Sequence, residues 1–409
     1  MPQGVDWVPV DDALDRLRAS LHPVVAVETV PVAQAAGRIL AKDAVAQRSN
    51  PPAANAAVDG FGFAHSALVE GVNTLPLVAG RAAAGQPFER TVPQGHAVRI
   101  LTGAILPDGV DTVVLEEDCA SDDRQVAFRG PLKPRSNTRR AGEDVEKGQV
   151  SVSKHTRLRP QDVALLTALG VSDVQVFQRL RVGVLSTGDE LAQGTATGPH
   201  EIYDANRPML LSLIAGWGYE TIDLGQAPDC AAEIAKRLDE GASKADLILT
   251  SGGASAGDED HVSRLLRERG DLTSWRIAVK PGRPLAMAMW NGVPVLGLPG
   301  NPVAAFTCTL VFARPALSLL AGAGWQQPQG FTVHAAFTKR KKPGRREFLR
   351  ARLNAEGAAE VFASEGSGRI SGLAWADGFV ELPDGGADIT PGTPVRYIPY
   401  SAFGLMPAG

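Results

Sequence analysis

Four stretches of this 409-residue chain place small and charged residues where an apolar run stops. RVGVLS runs into Thr187-Gly188-Asp189-Glu190, and DLILT runs into Ser251-Gly252-Gly253-Ala254-Ser255-Ala256-Gly257-Asp258-Glu259-Asp260. RIAV runs into Lys280-Pro281-Gly282-Arg283-Pro284, and VPVLGL into Pro299-Gly300-Asn301-Pro302. Without bulky side chains, the N–H groups of Ser251, Gly252, Gly253 and Ser255 can converge on an anion, and the helix that follows adds its positive end. One exposed helix end contributes only about 0.3–1 kcal/mol, so cations must add to it, and Arg276, Lys280 and Arg283 are the candidates. Taken alone, Gly252 and Gly253 could simply turn the chain. Asn301 and Pro302 suit an N-cap and a first helical position; the functional reading is that Pro299, Asn301 and Pro302 also bring that helix start to the ligand.

The acids add a second chemistry. Glu190, Asp204, Asp229, Asp258 and Asp260 all lie at or just past expected strand ends. Two carboxylates about 4 Å apart repel by around 4 kcal/mol at an effective dielectric of about 20. A group of them needs a counter-charge, and hard oxygen donors beside phosphates suit Mg²⁺. Asp229 and Asp258 could equally be helix N-caps. The basic run Lys339–Arg346, with Pro343-Gly344 at its centre, reads as a hairpin turn with solvated flanks. The histidines show no metal spacing and no Ser-His-Asp arrangement. Cys119, Cys230 and Cys308 are far apart and read as buried small hydrophobes.

The elements that must position these residues alternate cleanly over 180–325. Strands RLRVGVLS, YETIDLG, ADLILTSGG, WRIAV, PLAMAMW and VPVLGLPG are interleaved with helices ANRPMLLSLIAGWG, DCAAEIAKRLDEGASK and DEDHVSRLLRERG, and a long helix starts at Pro302. Such alternation predicts a parallel sheet covered on both faces, with ligands beyond the carboxyl ends of its strands. Upstream, Val10, Ala13, Leu14, Leu17 and Leu21 mark a helix over 8–20. A second short helix is expected over 32–40, and a third before Gly170. Short β-branched runs separated by Gly, Pro and Asp turns fill 46–145, and β-like runs return over 330–409. The expected fold is therefore α/β and β multidomain. A mixed α+β N-terminal domain (1–45 plus 146–179) carries an inserted small β domain (46–145). A central parallel-sheet α/β domain (180–327) and a C-terminal β-barrel-like domain (328–409) follow.

Composition narrows the class. With 44% hydrophobic and 21% charged residues the chain reads as an ordinary globular protein. A net charge of −4 and few aromatics give no platform for nucleic acid. The opening MPQGVDWVPVDDALDRLRAS lacks the apolar core of a signal peptide. No window reaches the roughly 18 uninterrupted apolar residues of a membrane span, so the expectation is a cytoplasmic protein without a membrane partner.

These motifs, in this order and spacing, resemble the MoeA family of molybdopterin molybdenumtransferases, which includes the E domain of gephyrin. The N-terminal half adds Val58-Asp59-Gly60-Phe61, Leu101-Thr102-Gly103-Ala104, Asp111-Thr112-Val113-Val114 with Glu116, and Arg139-Arg140-Ala141-Gly142-Glu143-Asp144. The resemblance covers nearly the whole chain. It implies a four-domain homodimer that inserts molybdate into adenylylated molybdopterin with Mg²⁺ and releases AMP, the last step of molybdenum cofactor biosynthesis. It places functional acids at Asp59, Glu190, Asp229 and Asp260, with Glu190, Asp229 and Asp260 as the expected Mg²⁺ ligands, a hydroxyl at Thr102, cations at Arg276, Lys280 and Arg350, and a late serine at Ser371. Further implied partners are a molybdopterin adenylyltransferase and recipient molybdoenzymes or their chaperones. Two other readings stay open: the adenylyltransferase itself, which the α/β domain also resembles, and a gephyrin-like scaffold. The sequence departs from the family pattern at Ala54 and Ala56, where a carboxylate and a hydroxyl are usual.

Overall fold

The computed structural model describes residues 7–192, 198–252, 261–269, 273–282 and 284–405. They form two compact units, one drawn from Met1–Glu28, Gly37–Ala41 and Val176–Gly409, the other from Thr29–Ala36 and Lys42–Gln175.

The first unit is organised by a seven-stranded sheet in the order Trp7–Val8, Thr273–Ile277, Pro284–Trp290, Val293–Leu298, Leu247–Ser251, Arg181–Thr187, Glu220–Ala227. The strand Arg181–Thr187 is buried from Val182 to Thr187, as a strand covered on both faces must be. The sheet is mixed, which corrects the expectation of a parallel one. Four strands, Glu220–Ala227, Arg181–Thr187, Leu247–Ser251 and Val293–Leu298, run parallel, but Pro284–Trp290 is antiparallel to both neighbours. The reason is Asn291-Gly292. Both residues take positive φ (49° and 80°), the geometry of a two-residue hairpin turn, whereas a parallel pair needs a crossover of roughly a dozen residues. Two reversals leave Thr273–Ile277 pointing the same way as the parallel set, so its end also opens on the carboxyl edge.

Helix Val10–Ser20 buries Val10, Ala13 and Leu17 in the core of this unit. Together with the strand Trp7–Val8 it ties the start of the chain to the α/β sheet rather than to residues 146–179. The long helix spans Pro302–Cys308, a π-turn at Thr309–Ala313, and Arg314–Leu320. Pro315 lacks an N–H, and the widened turn before it absorbs that loss. The Pro302–Leu320 stretch has the length and apolarity of a membrane span, but 89% of it is buried inside the protein. It is the core helix of the sheet.

The C-terminal part of this unit is a six-stranded sheet in the order Val279–Lys280, Arg346–Leu353, Gly378–Leu382, Pro394–Pro399, Phe331–His334, with Ala359–Val361 also paired to Arg346–Leu353. The chain therefore passes from one sheet to the other at Ala278, and Lys280 belongs to the second. The Pro343-Gly344 turn forms, but no hairpin does. Lys339–Lys341 pairs with Ala387–Ile389, and Arg346–Leu353 pairs elsewhere.

The second unit holds a six-stranded sheet in the order Thr112–Leu115, Gly60–Phe63, Ala97–Ile100, Val72–Ala82, Gln125–Arg129, Cys119–Ser121. Helix Pro160–Ala168 starts on a capping box between Arg159 and Asp162. The helix expected over 32–40 is only a 3-10 turn at Val32–Gln34. Ala56 is fully buried beside Ile100 and Val113, so that departure puts apolar packing where a hydroxyl was usual.

Candidate functional site

The strand-end loops of the first unit meet. The Asn206 amide nitrogen donates to Ser251 Oγ (2.8 Å) and to the Gly300 carbonyl (2.7 Å), joining the loops after Leu247–Ser251 and Val293–Leu298. Gly252 has φ +98°, and a Cβ there would lie 2.4 Å from the Thr187 carbonyl. Only glycine allows that approach. A Cβ on Gly282 would lie 2.6 Å from Cys308 Sγ and 3.6 Å from Pro299 Cγ, so the Lys280-Pro281-Gly282 loop rests on Pro299 and the helix behind it. The Asp189 carboxylate accepts from the Asp229 N–H (2.9 Å), and Asp229 accepts from the Asp189 N–H (3.4 Å). That reciprocal pair joins the loops after Arg181–Thr187 and Glu220–Ala227. It also shows what Asp229 does: the helix N-cap is Cys230, not Asp229.

Asp204, half-buried, anchors this edge. Its carboxylate accepts from the Arg207 N–H and Nε (both 3.1 Å) and from Gln226 (3.4 Å), while Arg207 also reaches Asp223 at 2.6 Å. Burial alone would raise its carboxyl, but these hydrogen bonds hold it below the ordinary carboxylate value. Asn301 occupies the N-cap of the Pro302 helix without a side-chain cap bond, and its side chain is exposed at the edge. The Val303 N–H bonds instead to the Ser367 carbonyl at 3.3 Å.

A second cluster lies beside this edge. Lys280, Lys339, Arg350 and Glu365 line a cavity of about 240 Å³ that also touches Pro281 and Val303. Lys280 Nζ sits 2.5 Å from Glu365 and 3.7 Å from Glu347; Lys339 pairs with Glu365 and lies 3.0 Å from Glu347. Arg350 is buried, donates to the carbonyls of Arg369, Ser364 and Gly366, and stacks on Phe362 at 4.9 Å. Burial lowers its affinity for its proton. Among the described residues it has no carboxylate partner. Ser371 opens the short Ser371–Trp375 helix just past the Arg369 carbonyl that Arg350 grips.

A third cluster belongs to the other unit. Gly60 pairs with Ile100 in register, which brings the residues flanking those strands together. Asp59 Oδ1 accepts from both the N–H (2.7 Å) and the hydroxyl (2.6 Å) of Thr102. The hydroxyl first, then the N–H, lowers the Asp59 carboxyl below its ordinary range.

The structure thus gathers Ser251, Gly252, Glu190, Asp229, Pro299, Asn301 and Pro302 on one edge. It sends the Lys280 side chain into the cavity with Arg350, and pairs Asp59 with Thr102. Arg276 is exposed on Thr273–Ile277, opposite Trp7 and Pro284. Gly253, Ser255, Asp258, Asp260 and Arg283 lie outside the described residues. No group of three potential metal ligands occurs among the described residues; Glu190 and Asp229, on adjacent strand-end loops, supply the hard oxygen donors a divalent cation takes. Lys339 was missed, since the basic run reads as solvated. Its strand, pairing with Ala387–Ile389, turns it inward to 11% side-chain exposure. Asn206 was missed because an asparagine opening a helix carries no distinctive signal. Of the cysteines, Cys308 is buried as expected, Cys119 is intermediate and Cys230 is exposed, because Cys230 falls at a helix start on the surface.

Three family models match the chain: MoeA N-terminal region (domain I and II) over residues 8–170, probable molybdopterin binding domain over 183–319, and MoeA C-terminal region (domain IV) over 332–400. The chain is similar to the molybdopterin molybdenumtransferase of Haemophilus influenzae, 35% identical over 399 residues, which are 96% of this chain and 98% of that protein. It is similar to molybdopterin molybdenumtransferase 2 of Mycobacterium tuberculosis, 33% identical over 382 residues, 90% of this chain and 94% of that one. In structure it is similar to the molybdopterin biosynthesis moeA protein of Pyrococcus horikoshii OT3, with a TM-score of 0.84 and 28% identity, covering 97% of this chain and 100% of that chain.

Proposed function

The chain belongs to the MoeA family, and from that premise we propose how its residues divide the work. Its activity is that of a molybdopterin molybdenumtransferase, an enzyme of molybdenum cofactor biosynthesis. The pterin arrives adenylylated and lies along the carboxyl edge, its phosphates against Ser251-Gly252 and the start of the Pro302 helix, where backbone N–H groups favour anions. Arg276, exposed on Thr273–Ile277, adds a cation to that edge, and the sequence motifs assign Gly253, Ser255 and Arg283 to the same ligand. Glu190 and Asp229, with Asp260 as the resemblance implies, would hold Mg²⁺, which would supply charge neutralisation for the phosphate that leaves as AMP. Molybdate enters the neighbouring cavity, where Lys280 and Arg350 supply positive charge and Ser371 a hydroxyl. Within the second unit, Asp59 and Thr102 form a paired acid and hydroxyl of their own.

One observation carries this reading: the edge and the cationic cavity share the Pro281-Gly282 turn and the Pro302-Val303 helix start. A pterin on the edge therefore has an oxyanion site within reach. The whole-chain similarity, N-terminal and C-terminal regions included, favours the transferase over a one-domain adenylyltransferase, and the convergent polar edge favours an enzyme over a pure scaffold. Molybdate-dependent AMP release from adenylylated molybdopterin, with and without Mg²⁺, is the test. Glu190→Gln and Asp229→Asn should each cut the rate by ~100-fold at fixed Mg²⁺, partly recovered at high Mg²⁺; full activity in both variants rejects the metal assignment. The active form is a cytoplasmic homodimer that receives its substrate from a molybdopterin adenylyltransferase and passes product to recipient molybdoenzymes or their chaperones; a monomer mass by light scattering at assay concentration rejects the dimer.

A further inference from the structure

Resting on the reading of the cavity as the molybdate site, we infer that Lys280, Lys339 and Arg350 form one anion-holding set and that Glu365 is its resident counter-ion, displaced by the incoming oxyanion.

The two acids of the cavity differ in kind. Glu347 stands on the strand Arg346–Leu353 with 8% side-chain exposure and cannot leave. Glu365 stands on the loop between Ala359–Val361 and Ser371–Trp375, with 43% side-chain exposure, yet its carboxylate bridges Lys280 and Lys339 across the cavity. It occupies the place an oxyanion would take, held by the same two ammonium groups, and swinging outward returns it to water. The charges agree. With Glu365 in place, three cations face two carboxylates; with it out, the excess of positive charge rises to two, the charge of a tetrahedral molybdate dianion. Arg350 reinforces the point, because a buried guanidinium that, among the described residues, is held by carbonyls and a ring face and by no carboxylate is a cation awaiting an anion. The hydrogen bonds from Lys280 and Lys339 carry the Glu365 carboxyl below its ordinary value against the effect of burial, which would raise it, so it is charged at neutral pH.

A resident competitor multiplies the apparent dissociation constant of every anion by the same factor, because each must first displace it. Equilibrium dialysis of the full chain against molybdate, and separately against perrhenate, a tetrahedral monoanion of the same shape, tests this. Glu365→Gln should tighten both anions by about tenfold, as loss of one doubly paired carboxylate implies. Asp388→Asn removes an equal charge from the exposed pair with Arg340 and should change either by less than about twofold. An unchanged or weakened affinity in Glu365→Gln overturns the inference. So does a much larger gain for the dianion than for the monoanion, which would mean that Glu365 acts only through the general field. Lys280→Gln separates the two levels. If molybdate binding is indifferent to it, the cavity is not the oxyanion site; if binding is lost there while Glu365→Gln changes nothing, only the counter-ion role fails.

Discussion

The carboxyl edge and the cationic cavity belong to one unit and share a turn, yet they are built by opposite means. The edge is made of backbone. Gly252 sits against the Thr187 carbonyl because it has no side chain, and Asn206 pins the loops of Ser251 and Gly300 with two short hydrogen bonds. The cavity is made of long side chains. Lys280, Lys339 and Arg350 come from three separate strands, and their placement depends on how two sheets exchange the chain at Ala278. An edge of backbone N–H groups suits extended phosphates, whose oxygens it can meet one by one. A pocket of flexible ammonium groups around one fixed guanidinium suits a compact anion of uniform shape.

The sharpest way to break this contrast is Arg350→Met. The substitution keeps most of the apolar volume against Phe362 but leaves the carbonyls of Ser364, Gly366 and Arg369 without their donor. Loss of charge-assisted bonds of about 1.5–3 kcal/mol each should weaken molybdate binding by at least ~100-fold. Adenylylated pterin measured by fluorescence should bind within about twofold of the parent, since the contacts proposed for it lie on the edge. Equal losses for both ligands would mean that edge and cavity act as one site.

The same contrast explains what could be read from the sequence. Loops such as Ser251-Gly252 and Pro299-Gly300-Asn301-Pro302 announce themselves because their chemistry is local: small residues after a β run, then a helix start. The register of an antiparallel pair likewise places Thr102 against Asp59 through a few residues on each side. The cavity depends on long-range pairing. Nothing near Lys339 distinguishes it from Arg340, which is 90% exposed, until Lys339–Lys341 is known to pair with Ala387–Ile389. Glu365 was equally silent, because a glutamate between serine and glycine reads as loop. The antiparallel strand Pro284–Trp290 was different. Its signal, Asn291-Gly292 between two apolar runs, was present, and the helix–strand alternation on either side outweighed it.

A smaller effect sharpens the contrast from the edge. Asn206→Ala removes the shared donor of Ser251 and Gly300 while leaving helix Asn206–Gly216 intact, since alanine favours helix. Two bonds at about 0.5–1.5 kcal/mol each predict a KM for adenylylated pterin raised by roughly tenfold. The dissociation constant for molybdate should stay within about twofold. Here the order of effects is the reverse of Arg350→Met, and a variant that loses molybdate first would contradict the division of labour.

The mildest test concerns charge beneath the edge. Asp204 holds Arg207, and through it the start of the helix that presents Asn206, against Glu220–Ala227. Its folded carboxyl lies below the ordinary value of 3.8, with burial opposing and the hydrogen bonds from Arg207 and Gln226 prevailing. A carboxyl depressed in the folded state binds its proton more weakly there than in the unfolded chain. The stability it adds is therefore complete above the ordinary value and is lost as pH falls through the folded one. Asp204→Asn should cost about 1–2 kcal/mol in denaturant unfolding at pH 7, and the gap to the parent should narrow once the pH drops below about 4. Were the gap the same at pH 7 and pH 3, the amide would be failing in shape rather than in charge. The edge would then depend on packing beneath its loops, as the cavity already depends on the packing of its sheets, and the distinction between the two regions would weaken.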